Sequence, residues 1–218
     1  MLRAISTYNG VGFSAERSFG GDIPIWIDPK ELGIEPGGFS IQNTPAAEAI
    51  IPAGTPIFIS ESARTAYVCF RFEVYENATD SAVAIKIVKD NTKFGNLAKV
   101  AMNIMKQQAT LAGTAAAYPI ASIDTTNALY DVITLTTTLG VSLTAGDILA
   151  EADGTATSGR ALRYTANGLT KTGVLVEDDN LKYNCSSVYK GAIYNRRIRK
   201  IAAIERAALP QIHFSESK

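Results

Sequence analysis

The stretch AYVCFRFEVY, residues 66–75, changes character at every step. Val68, Phe70, Phe72 and Val74 fall on one side, and Cys69, Arg71, Glu73 and Tyr75 on the other. A period of two places successive side chains on opposite faces of an extended chain, so the run predicts a half-buried strand. Residues 82–88 repeat the pattern, with Val83, Ile85 and Ile87 on one face. Further on, residues 118–123 and 130–136 flank Asp124-Thr-Thr-Asn-Ala, and Asp and Asn favour tight turns by bonding their own backbone. A β-hairpin is predicted there. The expected fold class is therefore mainly β: a small β-barrel or sandwich with an inserted α+β region, an irregular N-terminal arm and a C-terminal helix.

Working outward, residues 1–48 form the arm. Glycines and prolines punctuate it (Gly20, Gly21, Gly37 and Gly38 among them, with Pro24, Pro29, Pro36 and Pro45), which disfavours long ladders. Phe13, Phe19, Ile23, Ile25, Trp26, Ile27 and Phe39 make it too apolar for a disordered linker. The arm must lie on its own domain or on a neighbour. Ile23, Ile25, Trp26 and Ile27 are the candidate partner contacts, with a Trp26 packed into its own chain as the equal alternative.

An internal echo links IPAGTPIFI (51–59) to LTAGDILAE (143–151). Each places a glycine, Gly54 or Gly146, in a tight turn that launches an apolar strand. The simplest geometry makes these two strands of one barrel, drawn from residues 49–75 and 140–194, with 76–139 inserted. Within the insertion a short helix is favoured over 96–105, capped by Asn96 with Leu97, Val100, Ile104 and Met105 as its stripe. After Asp153-Gly154 come short strands at 161–166, 172–176 and 188–194, with Asn167-Gly168 as a turn. From Asn195 the period lengthens. Ile198, Ile201, Ile204 and Ala208 predict a helix over 195–209, its stripe packed on the barrel or at an oligomer axis. The tail to Phe214 is extended and apolar enough to dock.

Chemistry is sparse. The one histidine, His213, lies five residues from the end. There is no Gly-x-Ser-x-Gly elbow and no Walker-type phosphate loop. The two cysteines, Cys69 and Cys185, are far apart and lack metal-ligand spacing. Glu177, Asp178 and Asp179 are adjacent, and a solvated turn explains them better than Ca²⁺ binding. The reading is no enzyme, with no catalytic residues, no metal and no cofactor. Lys plus Arg number 21 and Asp plus Glu number 21, a formal net charge of zero, so nucleic acid is not expected as a partner. The cations Arg196, Arg197, Arg199 and Lys200 stand at the start of the expected helix, where they oppose its dipole. A solvated face accounts for them, with an acidic partner as the alternative. No run approaches a membrane span of about 20 apolar residues. The start, Met1-Leu-Arg-Ala-Ile, lacks the apolar stretch of an export signal, so no membrane association and a cytoplasmic origin are expected.

The second half carries an ordered set of phrases. Gly146-Asp147-Ile-Leu-Ala-Glu-Ala-Asp153-Gly154 precedes Arg163-Tyr-Thr-Ala-Asn167-Gly168, then Thr172-Gly173-Val-Leu-Val-Glu177-Asp178, then Val188-Tyr-Lys-Gly191-Ala-Ile. Together with the ending Ala208-Leu209-Pro210-Gln-Ile212, this order resembles bacteriophage head decoration and head-fibre base proteins. The likeness covers residues 51–60 and 140–214; residues 1–48 and 76–139 are extra elements. It implies a structural virion role on the capsid surface, with the protein made in the host bacterial cytoplasm. The major capsid protein is the implied partner, and a homotrimer the implied assembly, for which Ile198, Ile201 and Ile204 are candidate packing residues. The competing reading is a β-rich binding module, carbohydrate-binding or adhesin-like. Its expected mark is an aromatic platform, whereas the tyrosines look scattered along the chain.

Overall fold

Residues 66–75 are extended, as their alternation requires, but they serve two sheets in succession. In the computed structural model, which describes residues 24–45, 49–89, 97–178 and 181–216 with the backbone of Thr7–Tyr8 and Val11–Gly12, the protein is mainly β. In chain order the strands are β1 (Thr7–Tyr8), β2 (Val11–Gly12), β3 (Gly33–Ile34), β4 (Phe39–Ile41), β5 (Ile50–Ile51), β6 (Pro56–Ser60), β7 (Thr65–Val68), β8 (Arg71–Glu73) and β9 (Ala84–Val88). There follow β10 (Asn103–Lys106), β11 (Ala115–Asp124), β12 (Tyr130–Leu135), β13 (Ile148–Glu151), β14 (Ala156–Arg160), β15 (Gly168–Thr170), β16 (Val174–Leu175), β17 (Tyr183–Cys185), β18 (Ser187–Tyr194) and β19 (Ile212–Ser215). One helix, α1 (Ala203–Ala207), lies between the last two.

One sheet runs β17-β4-β7-β6-β15-β18-β19, with β3 also on β18. A second runs β8-β13-β10-β11-β12-β9, with β14 on β11, and β1-β2 and β5-β16 are separate two-stranded pairs. The two ends of this second path meet at a bridge, Val74 opposite Ile87, where Tyr75 N donates to Lys86 O at 2.8 Å. The chain leaves the first sheet after Val68 and enters the second at Arg71. One apolar core spans both, joining Phe39, Ile57 and Val68 to Phe72, Ile104, Ile133 and Leu149. Val68, Phe70, Phe72 and Val74 are buried as the alternation predicts, and Glu73 and Tyr75 face outward. Cys69 and Arg71 are buried as well, because at the crossing both sides of the chain are covered.

The hairpin at 118–136 is present as β11 and β12. Its turn is held by the Asx bonds anticipated: Asp124 Oδ1 accepts from Thr126 N at 2.9 Å, and Asn127 Oδ1 from Leu129 N at 2.8 Å. Both echo glycines have positive φ, +77° at Gly54 and +90° at Gly146, a conformation that glycine adopts without a Cβ penalty. The strands they launch do not share a sheet, however. β6 lies in the first, while β13 lies between β8 and β10 in the second.

Three local expectations are corrected. No helix forms within the described part of 96–105; Asn96 itself lies outside the described residues. Ala101 takes φ +69°, which ends any right-handed turn, and Ile104 and Met105 are both fully buried on opposite sides of β10. Residues 161–166 are not a strand, and Asn167-Gly168 is not a hairpin turn. Asn167 instead acts as a surrogate strand residue: its Oδ1 accepts from Ile59 N at 2.8 Å and its Nδ2 donates to Ile59 O at 3.0 Å. Finally, 195–209 is not one helix. A 3₁₀ turn over Asn195–Arg197 gives way to extended chain at Ile198, and α1 spans five residues without a side-chain N-cap. A helix that short cannot persist on backbone bonds alone. The tail docks as expected, with β19 parallel to β18.

A left-handed conformation costs a non-glycine residue roughly 1–2 kcal/mol. Ala101→Gly is therefore expected to raise stability by about 1 kcal/mol, read from the midpoint of urea denaturation. No gain would mean that residue 101 does not hold a positive φ.

Candidate functional site

The segments singled out in the sequence converge, though not as independent surfaces. Ile25 and Trp26 are buried in a second apolar cluster with Leu169, Val188, Ile193, Ile201 and Leu209. Trp26 forms a bridge with Ile193, and its Nε1 donates to Lys171 O at 2.9 Å. Ile198 packs on the cluster from its edge, while Ile204 is half-buried outside it. Trp26 and Ile201 thus belong to one core. Of the candidate contacts Ile27 alone is seen to present its side chain, at 40 % exposure; Ile23 lies outside the described residues. Ile27 is not loose, because its N donates to Ala192 O at 3.0 Å beside β18.

The basic run is mostly consumed within the chain. Arg197 Nη1 donates to Pro24 O at 2.7 Å and its guanidinium lies over the Tyr194 ring. Lys200 Nζ reaches Glu73 Oε1 at 2.8 Å and Gly146 O at 2.9 Å. Arg196 is exposed. Glu177 and Asp178 are exposed and Asp179 is outside the described residues. No group of three His, Cys, Asp or Glu is placed to hold a metal among the described residues. His213 is exposed on β19. No described helix is long and apolar enough to cross a membrane.

A buried charge cluster escaped the sequence reading. Glu205 of α1 and Arg71 of β8 pair at 2.6 Å, with side chains 1 % and 4 % exposed. Arg71 also donates to Phe70 O at 2.7 Å and to Tyr164 O at 3.1 Å. Nearby, burial raises the carboxyl of Glu151 above its ordinary value, against the bond it accepts from Arg163 Nη1 at 2.6 Å. Burial pushes the Cys69 thiol up to about 12, so it is protonated and unreactive at neutral pH. Sequence gave no cue for this cluster beyond an arginine in an alternating strand, since its partner is 134 residues away.

The tyrosines are scattered in sequence but grouped in space. Phe58 and Tyr67 are cross-strand partners on β6 and β7, and Tyr164 stacks on both, 4.5 Å from Tyr67 between ring centroids. Tyr75 lies 5.0 Å from Tyr130, over which Lys86 Nζ sits at 4.7 Å. The nine-residue spacing of Phe58 and Tyr67 was the one available hint, because a tight hairpin would pair them.

A cleft of about 540 Å³ lies between the second sheet and the segment that carries α1. Glu73, Gln107, Gln108 and Asp147 line one wall, and Asn195, Lys200, Ile201 and Arg206 the other. Most of its charged groups are paired: Lys200 with Glu73, Lys106 with Asp147 at 2.8 Å, and Arg206 with Glu216 at 3.2 Å. No family model, curated protein or solved structure matches the chain.

Asp147 closes the Gly146 turn, accepting from Thr144 N at 2.8 Å. Partial burial opposes its ionisation, but the bonds from Lys106 and Thr144 outweigh that and hold its carboxyl below the ordinary 3.8. A carboxylate with a lowered folded pKa contributes stability that is present above its unfolded value and lost as pH falls through the folded one. Asp147→Asn is expected to flatten the fall in melting temperature below pH 4. An acid limb as steep as wild type would assign that limb to other groups.

Proposed function

We propose that this chain is a structural virion protein that decorates a bacteriophage capsid or forms the base of a head fibre. It binds the lattice of the major capsid protein non-covalently, as a homotrimer, at the capsid surface. The observation that carries the reading is Ile27. It is an exposed apolar side chain on a backbone locked to β18, beside Ile25 and Trp26 anchored in the core. Such a contact is pre-organised, so little ordering entropy is lost on docking. Repetition on a lattice multiplies a modest single contact by avidity. Three of the four sequence phrases that carry the resemblance fall in chain order on or beside strands: the Gly146 turn before β13, Thr172-Gly173 before β16, and β18 itself. In this reading Ile201 acts in the core that positions Ile27, and Ile198 and Ile204 remain the candidates for subunit packing.

A second reading, a carbohydrate-binding or adhesin-like module, is favoured by Tyr75, 37 % exposed and packed against Tyr130. Tyrosine offers an apolar face and a polar tip. Retention on immobilised glycans that Tyr75→Ala abolishes would favour it over the first.

Ile27→Asp tests the capsid reading. An exposed substitution changes stability by roughly 0.5 kcal/mol or less, so its melting curve should match wild type. Co-sedimentation with capsids should fall at least about ten-fold, the equivalent of ~1.4 kcal/mol per contact. Light scattering should give a trimer. Undiminished co-sedimentation would move attachment away from Ile27, and a monomer at micromolar concentration would remove the trimer.

A further inference from the structure

Asn167 and Gly168 form a chemically labile pair that packing, not a turn, keeps in place. A Cβ on Gly168 would collide with Ser187 Oγ and lie 3.3 Å from Val188 O, so only glycine lets β15 approach β18 this closely. Asn167 is equally constrained. Its main-chain N donates to Ile57 O at 3.0 Å. Its carboxamide reaches further along β6, accepting from Ile59 N at 2.8 Å and donating to Ile59 O at 3.0 Å. The position needs an acceptor and a donor side by side, which a carboxamide supplies and an ionised carboxylate does not. The same pair carries a reaction. When an asparagine side chain folds back on its own main chain, the nitrogen of the next residue can attack Cγ, and a glycine there adds no side chain to hinder it. In the fold that approach is blocked from both sides. The two bonds to Ile59 turn the carboxamide away from its own backbone, and Gly168 is held between β6 and β18.

We propose that Asn167-Gly168 is a spontaneous deamidation site gated by the pairing of β15 with β6: closed in the folded chain, and opened when that pairing is lost. The reaction needs only water and hydroxide. Hydroxide takes the proton of Gly168 N, and this nitrogen forms a bond to Cγ of Asn167. The Cγ–Nδ2 bond breaks, and Nδ2 leaves as ammonia with a proton from water, which returns the hydroxide. The succinimide ring then takes up one water at either carbonyl, giving aspartate or isoaspartate. In sum one water is consumed and one ammonia released. Neither product can restore the original contact. Aspartate sets a charged oxygen against Ile59 O where an N–H stood, and leaves that carbonyl without its donor. Isoaspartate also lengthens the main chain by one carbon at the start of β15. An opening at this edge is therefore recorded and not reversed. The inference rests on neither reading of function.

The test incubates the full wild-type chain in mildly alkaline buffer, folded in one arm and unfolded in guanidinium chloride in the other. Tryptic cleavage after Arg163 and Lys171 isolates the site from the chain's other Asn-Gly pair, Asn9-Gly10. Mass spectrometry then reads the conversion of amide to acid, and chromatography separates the aspartyl and isoaspartyl peptides. Conversion in the folded arm should be at least about ten-fold slower, because it must wait for local opening. Equal rates in the two arms would overturn the gate, and this comparison needs no variant. Asn167→Asp installs one product directly. It should melt below wild type in neutral buffer, and the difference should shrink at about pH 4, where a protonated carboxyl again offers Ile59 O a donor. Melting equal to wild type in neutral buffer would overturn the claim that conversion cannot be undone by refolding.

Discussion

Arg71 sits where three separate pieces of chain meet, and the architecture depends on its charge being met there. Its guanidinium is withdrawn from water and answers Glu205 of α1, the carbonyl of the preceding residue Phe70 and that of Tyr164 in the connection between β14 and β15. A charge taken out of water is strongly disfavoured unless it is paired and hydrogen-bonded. The sheet-to-sheet crossing, the returning connection and the C-terminal segment must therefore be assembled together.

That constraint explains features that otherwise look unrelated. α1 has five residues and no side-chain N-cap, so its own hydrogen bonds give it little permanence. It is kept by what it carries: Glu205 in the charge cluster, and Ile201 and Leu209 in the apolar cluster on either side. The same cluster receives Ile25 and Trp26 from the start of the described chain. Trp26 and β19, far apart in sequence, are thus both tied to β18. The polar cleft is the gap left where the C-terminal segment spans the second sheet on its way to Glu205. Its walls are joined at one end by the Lys200–Glu73 ion pair. Ile27 is held in place by the same packing, since its neighbours cannot leave the core without exposing a tryptophan.

What could be read in advance was what the chain encodes locally. Asp124 and Asn127 bond to residues two positions on, so the hairpin they turn was legible. So were the Gly54 and Gly146 turns and the extended β18. What stayed hidden was set by distant partners. Trp26 looked available for a partner because the carbonyl that takes its indole N–H belongs to Lys171. Arg71 looked like a solvent-facing strand residue because nothing near it marks Glu205 as its counter-charge. Asn167-Gly168 has two meanings, a hairpin turn or a carboxamide that pairs like a strand, and only the proximity of Ile59 selects the second. The helical spacing of Ile198, Ile201 and Ile204 arose in a segment whose contacts are made partly by extended chain. The polar cleft had no sequence signature, since its walls come from residues 73, 107, 147 and 195–206.

The account stands on the coupling between Arg71 and Glu205, and a double-mutant cycle measures it directly. Urea denaturation would be followed for wild type, Arg71→Met, Glu205→Leu and the double variant. Each single change strands a buried charge, so each should cost about 3–5 kcal/mol. The double variant removes both charges and should lose far less than the sum. Single losses under about 1 kcal/mol, the range of a solvated ion pair, or losses that simply add, would contradict the claim that this pair joins the three segments.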